Sequence, residues 1–150
     1  MDPHPDYTGV VLPRETPMGD LQLTRLSPEF VDEDFDAVMC AAPLMKGIFG
    51  DWPAGLTRED NLVDLAWHER EFTARRSFAW IVRDKEETYL GCFYIYPEIG
   101  ARGTGKAVLW LIDMPERDAV AASLKMALID WLAGLLPETL KLTWVTRPEL

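Results

Sequence analysis

The sequence has few cysteines, few histidines and no long apolar run. Among its 150 residues are two cysteines, Cys40 and Cys92, and two histidines. Two cysteines are too few for the disulfide framework of a small secreted domain, and these two lack the spacing of metal ligands. A membrane-spanning helix needs about 20 consecutive apolar residues, and no run approaches that length. We therefore expect neither a metal centre nor a membrane segment.

Basic residues are also in short supply. The chain carries 15 Lys and Arg against 25 Asp and Glu, which gives a formal net charge of −10. Such a charge repels nucleic acids and anionic membranes, so we expect no partner of either kind. Residues 1–6 have neither the basic nor the apolar region of a signal peptide. Together these features predict a cytoplasmic protein.

Length and composition indicate one globular domain. A chain of 150 residues, 48% of them hydrophobic, is long enough to fill one core. Residues 1–17 contain four prolines and no regular apolar period, so we interpret them as an extended N-terminal arm that lies on the domain or on a partner. Residues 18–150 then form the domain itself.

Apolar periodicity divides the domain into strands and helices. Strand patterns occur at 20–26, 77–83, 89–96, 107–112 and 140–146. Helical patterns run from Pro28 to about Met45, from Thr57 to beyond Phe72, and from Pro115 to about Leu136. The inward stripe of the second helix is predicted to hold Leu62, Leu65, Ala66 and Phe72. The predicted order is β-α-α-β-β-β-α-β, which is an α/β (α+β) arrangement.

Two groups of acidic residues need separate interpretations. The first helix begins with Glu29, Asp32, Glu33, Asp34 and Asp36. We interpret this group as a solvated helix start, because negative charge is favourable near a helix N-terminus; a site for a cation or a basic partner is the alternative. Glu69 falls on the apolar stripe of the second helix, where a carboxylate needs a partner. Arg25 or Arg75 could supply it.

The element order and four local stretches resemble the GCN5-related N-acetyltransferase (GNAT) family. The stretches are LQLTRLSP at 21–28, GDWP at 50–53, NLVDLAWHER at 61–70 and LGCFYIYP at 90–97. The resemblance implies an acyl-CoA N-acyltransferase fold with a central mixed sheet flanked by helices. Because the chain ends just after the strand that corresponds to the family's fifth, we expect an atypical, truncated member that lacks the last helix and strands.

The resemblance also implies a place for acetyl-CoA. In the family the fourth strand and the strand after the next helix separate, and the pantetheine arm lies between them. The loop between the fourth strand and that helix holds the pyrophosphate. The implied cofactor-binding residues are Leu111, Ile112, Asp113, Arg117, Asp118 and Ala119. A main-chain N–H near Leu111 or Ile112 would polarise the thioester. The loop at 113–119 departs from the family pattern, since it has no glycine, one base and three acids.

Candidate catalytic residues follow from the chemistry of amine acetylation, which needs a base for the ammonium and an acid for the leaving thiolate. The candidates are Glu98, Asp113, Tyr96 and His68. The family's usual tyrosine acid lies on the helix that we expect to be absent here, so Tyr96, Tyr94 or Cys92 would have to replace it. For His68, a structural role as a helix residue bonded to a carboxylate is the alternative.

One stretch matches phosphate-binding patterns in the wrong place. Residues 102–107 (RGTGKA) fit the family's phosphate pattern, and residues 100–106 fit GxxxxGK without the following Ser or Thr. Both motifs must lie between a strand and a long helix, whereas a short apolar strand follows here. We interpret the stretch as a hairpin loop; the alternative is that Arg102 and Lys106 cover a bound anion.

Two functions therefore remain open. The first is an N-acetyltransferase that moves an acetyl group from acetyl-CoA to a small or basic amine acceptor. The second is a degenerate, non-catalytic GNAT-like domain that binds a small ligand or a protein. The final strand, LKLTWVT, also predicts an apolar sheet edge, which is an aggregation hazard unless covered. We expect a homodimer through this edge, or cover from the N-terminal arm.

Overall fold

The computed structural model describes residues 2–146, which form one six-stranded sheet with helices on both faces. The strands are β1 Glu15–Met18, β2 Leu21–Arg25, β3 Phe78–Arg83, β4 Tyr89–Pro97, β5 Thr104–Leu111 and β6 Lys141–Val145. The helices are α1 Val31–Met45, α2 Arg58–Thr73 and α3 Arg117–Ala133, with 3-10 turns at Pro5–Tyr7 and Pro28–Phe30. Neighbouring strands in the sheet follow chain order and pair antiparallel, except that β5 and β6 are parallel.

The predicted α/β class and mixed sheet are confirmed, with one strand that the sequence patterns did not reveal. Strand β1 pairs with β2 in register from Glu15↔Thr24 to Met18↔Leu21. It contains Pro17, which has no N–H to donate to a partner strand. This proline is tolerated because β1 lies at the edge of the sheet. Strand β5 also begins at Thr104 and not at 107, so Lys106 belongs to the strand.

The N-terminal arm lies on the domain and contributes to its core. Tyr7, Val10 and Leu12 are buried. The ring of Tyr7 contacts that of Phe78 edge-on at 5.2 Å between centroids. The carboxylate of Asp6 accepts a hydrogen bond from the N–H of Gly103 at 3.0 Å. The arm therefore covers part of the same sheet face as α3.

The core is divided between the two faces of the sheet, because successive strand residues point to opposite sides. Trp80, Phe93 and Leu109 belong to the face covered by α3 and the arm. Tyr94 and Trp110 belong to the face covered by α1 and α2, where the indole N–H of Trp110 donates to the Tyr94 hydroxyl at 2.9 Å. Within residues 2–146, no helix has the length and apolar character needed to cross a membrane.

One glycine permits the close approach of β4 and β5. A Cβ added at Gly91 would overlap the carbonyl oxygen of Trp110 and lie 2.8 Å from the Cα of Leu111. Both obstacles are backbone atoms of a central strand, so they cannot move aside as a flexible side chain would. Gly91 is therefore required for the pairing that positions the end of β5.

We predict that Gly91→Ala lowers the free energy of unfolding by about 3 kcal/mol, since the overlap forces the two strands apart. The control is Gly134→Ala, because Gly134 has helical dihedral angles and nothing lies within 4 Å of its added Cβ. The control should change stability by less than about 1 kcal/mol. Urea unfolding measures both variants, and equal stabilities would contradict the prediction.

Candidate functional site

Helix α2 turns polar side chains toward the sheet, which corrects the predicted stripe. Thr57 and Asp60 form a capping box at the start of this helix. The buried residues on this helix include Asn61, Leu65, His68 and Phe72, whereas the predicted Leu62 and Ala66 are exposed. The inward face is therefore rotated by part of a turn. Asn61 and His68 face inward in place of the predicted Leu62 and Ala66. They can do so because Asp34 and Asp64 give each of them an acidic partner.

The amide belongs to a buried polar cluster formed by Asp34, Asn61, Tyr89 and Cys92. Asp34 accepts hydrogen bonds from the Tyr89 hydroxyl and, at 2.7 Å, from Nδ2 of Asn61. The sulfur of Cys92 lies 3.0 Å from the Tyr89 oxygen. Asp34 is 3% exposed, so its interpretation as part of a solvated helix start is wrong. The sequence signal for this burial is the spacing of Asp34 from Val31 and Val38, which places it on the inward stripe of α1.

Burial controls protonation in this cluster. Burial raises the pKa of Asp34, while hydrogen bonds from Tyr89 and Asn61 act in the opposite direction. Burial also raises the pKa values of Tyr89 and Cys92 well above their ordinary values. Cys92 is therefore a protonated core thiol at neutral pH. The raised pKa of Asp34 means that its contribution to stability is fully present below the ordinary Asp pKa and is lost as pH rises through the folded-state pKa.

We predict that Tyr89→Phe lowers the free energy of unfolding by about 1–3 kcal/mol at neutral pH, because a buried carboxylate loses a hydrogen-bond donor. The same change should raise the folded-state pKa of Asp34 further. The loss of stability should therefore decrease as the pH falls and Asp34 becomes protonated. Urea unfolding across a pH series measures this, and a pH-independent loss would contradict the role assigned to the hydroxyl.

Next to this cluster lies a pocket of about 260 Å³ between α2, β4 and the connection that precedes α2. We call it the aromatic pocket; it is lined by Phe49, Trp52, Asp64, Trp67, His68, Tyr94 and Tyr96. The imidazole of His68 is buried, and its Nε2 lies 3.4 Å from the carboxylate of Asp64. Its ring contacts that of Tyr94 at 5.4 Å between centroids. Burial raises the pKa of Tyr96, so this phenol stays protonated at neutral pH.

The aromatic pocket brings together two of the four predicted catalytic residues. His68 and Tyr96 both line it, with ring centroids 6.5 Å apart. Glu98 lies beyond the end of β4 and accepts a hydrogen bond from the Thr104 hydroxyl at 3.1 Å. Asp113 is exposed and follows the C-terminal end of β5, far from the hairpin that carries Glu98. Neither carboxylate lines the aromatic pocket, and the catalytic roles of all four residues stay predictions.

The predicted cofactor residues surround the C-terminal end of β5 and the start of α3. The N–H of Ile112 donates to the carbonyl of Leu90 at 2.8 Å, so it faces the β4 side and is already bonded. Because adjacent strand residues direct their N–H groups to opposite edges, the N–H of Leu111 faces the β6 side. Nε of Arg117 donates to the Leu111 carbonyl at 3.0 Å. Asp118 and Ala119 lie in the first turn of α3.

A row across the sheet links the aromatic pocket to this edge. Tyr94 pairs with Val108, and Val108 pairs with Val145. Within residues 2–146, the pairing of β5 with β6 ends at this row. Since neighbouring strands lie about 4.8 Å apart, a group placed against the β6-side edge of β5 would be two strand spacings, about 10 Å, from the strand that carries Tyr94 and Tyr96.

The remaining sequence interpretations concern ion pairs and the glycine-rich stretch. Arg25, one of the two partners predicted for Glu69, forms the ion pair, with 3.3 Å between its Nη2 and Oε2 of Glu69. Residues 98–103 form the connection of the β4–β5 hairpin, in which the N–H of Gly103 is bonded to Asp6. The phosphate-like pattern therefore lies in a hairpin and not before a helix.

Solved structures of similar fold are acetyltransferases. RimL, a ribosomal L7/L12 alpha-N-protein acetyltransferase in complex with coenzyme A, superposes with a TM-score of 0.67 at 14% identity, over 79% of this chain and 67% of RimL. The microcin C7 self-immunity acetyltransferase MccE, in complex with acetyl-CoA and AMP, gives 0.63 at 14% identity, over 81% and 71%. A GCN5-related N-acetyltransferase from Brucella melitensis gives 0.60 at 17% identity, over 91% and 60%.

These likenesses establish the fold. The chain has the fold of the GCN5-related N-acetyltransferases, which confirms the resemblance drawn from its sequence. It spans about two thirds of the length of these relatives. No family model matches the sequence, and no curated protein is significantly similar to it.

Proposed function

We propose that this protein is an N-acetyltransferase that binds acetyl-CoA along the β6-side edge of β5 and transfers the acetyl group to an amine in the aromatic pocket. The observation that carries the proposal is the row Tyr94–Val108–Val145. This row connects the pocket that holds His68 and Tyr96 to the edge toward which the Leu111 N–H is directed. An acceptor and an acyl donor placed at these two positions are separated by a single strand.

The residues at the end of β5 fit the acyl end of acetyl-CoA. The Leu111 N–H faces the edge and supplies a donor suited to the carbonyl oxygen of a thioester. The pyrophosphate would lie at the N-terminus of α3, where helix N–H groups and the dipole favour anions. Arg117 is the only base at 113–119, and its side chain is 19% exposed beside Leu111. We assign it the phosphate-binding role.

The chain's own groups supply the proton transfers. Acetyl-CoA, when bound, provides an acyl carbon that is open to attack by nitrogen. An acceptor arriving as an ammonium must lose a proton, and the His68–Asp64 pair is placed to accept it. Attack by the neutral amine would form the C–N bond and break the C–S bond, and the CoA thiolate would take up the second proton, which the nitrogen gives up on becoming an amide. Tyr96, kept protonated by burial, would be a hydrogen-bond donor to an acceptor molecule in this pocket.

We predict that Arg117→Ala weakens acetyl-CoA binding about tenfold, since a charge-assisted hydrogen bond to phosphate is lost. Isothermal titration with acetyl-CoA measures the effect. Arg102→Ala is the matched control, because Arg102 is an exposed base in the β4–β5 hairpin; it should bind like the unmodified protein. Weakening by Arg102→Ala alone would instead locate the phosphate site in the hairpin.

We predict that His68→Gln lowers the rate of acetyl transfer to an amine about 100-fold, the lower range for loss of a general base. Acetyl-CoA binding should stay unchanged, because His68 lies on the acceptor side. Release of free CoA thiol measures the rate, and Val63→Ala, at an exposed position of α2, is the control. Full activity in His68→Gln would remove this residue from the mechanism.

A second candidate function follows from the loop at 113–119. It carries three acids and one base, and Pro115 lacks an N–H, so it is a weak phosphate cradle. This composition favours a non-catalytic domain that keeps the aromatic pocket as a ligand site. Absence of heat on titration with acetyl-CoA, together with an unchanged thermal midpoint, would favour this function over acetyl transfer.

A further inference from the structure

The aromatic pocket gathers five rings from three separate elements. Phe49 and Trp52 come from the connection before α2, Trp67 comes from α2, and Tyr94 and Tyr96 come from β4. The rings do not simply fill the core, because Trp67 is 40% exposed and a cavity of about 260 Å³ remains between them. The pocket therefore presents aromatic faces to a ligand.

One ring, that of Phe49, stands nearly at right angles to three of the others. Tyr94 and Tyr96 are stacked with 17° between their planes and form one wall. Phe49 stands perpendicular to both, with interplanar angles of 89° to Tyr94 and 82° to Tyr96, and also lies at 89° to Trp52. Perpendicular walls allow one bound group to meet several ring faces. Ring faces carry partial negative charge and attract cations.

The carboxylate in the pocket is negative, as are the faces of the aromatic rings. Asp64 supplies a carboxylate whose side chain is 43% exposed, and it is the only acid among the described lining residues. His68, at 3.4 Å from that carboxylate, is the only other titratable group there besides the two tyrosines. None of the described lining residues is Lys or Arg.

We infer that the aromatic pocket binds an organic cation, a compact molecule whose ammonium group lies against the ring faces and opposite Asp64. A cavity of about 260 Å³ is slightly smaller than the range of about 300–1,000 Å³ usual for drug-sized ligands, so the cation is small. That this cation is the acetyl acceptor rests on the proposed function; that the pocket binds cations does not.

Other ligand classes fit the same walls less well. A neutral apolar ligand would fill the space between the rings, but it would cover the Asp64 carboxylate without offering a positive partner. An anion would face both the carboxylate and the negative ring faces. An ammonium ion satisfies both features at once.

The test compares a quaternary ammonium with its neutral counterpart of the same shape. The probes are choline and the alcohol in which carbon replaces the nitrogen of choline, so that only the charge differs. Because Trp52 and Trp67 line the pocket, tryptophan fluorescence and the indole NMR signals report binding directly. We expect choline to bind at least about tenfold more tightly than the alcohol.

Variants on exposed positions of α2 assign the binding to this pocket. Trp67→Ala should weaken choline binding about tenfold, whereas Trp67→Phe, which keeps a ring, should weaken it about twofold. Asp64→Asn should reduce the preference for choline over the alcohol. Val63→Ala, next to Asp64 but outside the pocket and 70% exposed, should leave binding unchanged. Circular dichroism checks that each variant is folded.

The inference is overturned if the neutral alcohol binds as tightly as choline, if neither probe binds at tens of millimolar, or if Trp67→Ala and Asp64→Asn both leave choline binding unaltered. Titration with acetyl-CoA separates this result from the proposed function. Choline binding without acetyl-CoA binding would support the cation site and contradict acetyl transfer. Acetyl-CoA binding without discrimination between the two probes would contradict the cation site alone.

Discussion

The parallel pairing of β5 with β6 is the constraint on which the candidate site depends. A parallel pair needs a long crossover, and α3 provides it, so the start of α3 must lie at the C-terminal end of β5. The described pairing ends at Val108↔Val145, while β5 continues to Leu111. One topological requirement thus brings together a strand edge, a backbone N–H and a helix N-terminus.

The aromatic pocket depends on a different balance, in which polar groups are buried because each has a partner. Asn61 and His68 turn inward on α2, where Asp34 and Asp64 receive them. A buried amide or imidazole without such a partner would cost several kilocalories per mole. The buried polar cluster fixes the rotation of α2, and this rotation places His68 in the aromatic pocket. The polar residues therefore determine which side chains the pocket presents.

The sequence predicted the fold well, because long periodic segments and a capping box at Thr57 mark the elements clearly. It missed β1, since Pro17 and the absence of alternation disguise an edge strand. It also misassigned Leu62 and Ala66 to the core, because hydrophobicity alone cannot show that a polar residue has found a buried partner. His68 and Tyr96 were both identified as candidates, but their proximity is a tertiary contact between α2 and β4. Asp34 could have been noticed from its place on the stripe of α1.

The end of β5 and the start of α3 form the proposed site for acetyl-CoA. The most direct test is titration of ¹⁵N-labelled protein with acetyl-CoA, observed at individual backbone amides. We expect the amide signals of Leu111 and Arg117 to shift together and saturate, while those of the 100–103 hairpin stay in place. Shifts confined to the hairpin, or no shifts at all, would contradict it.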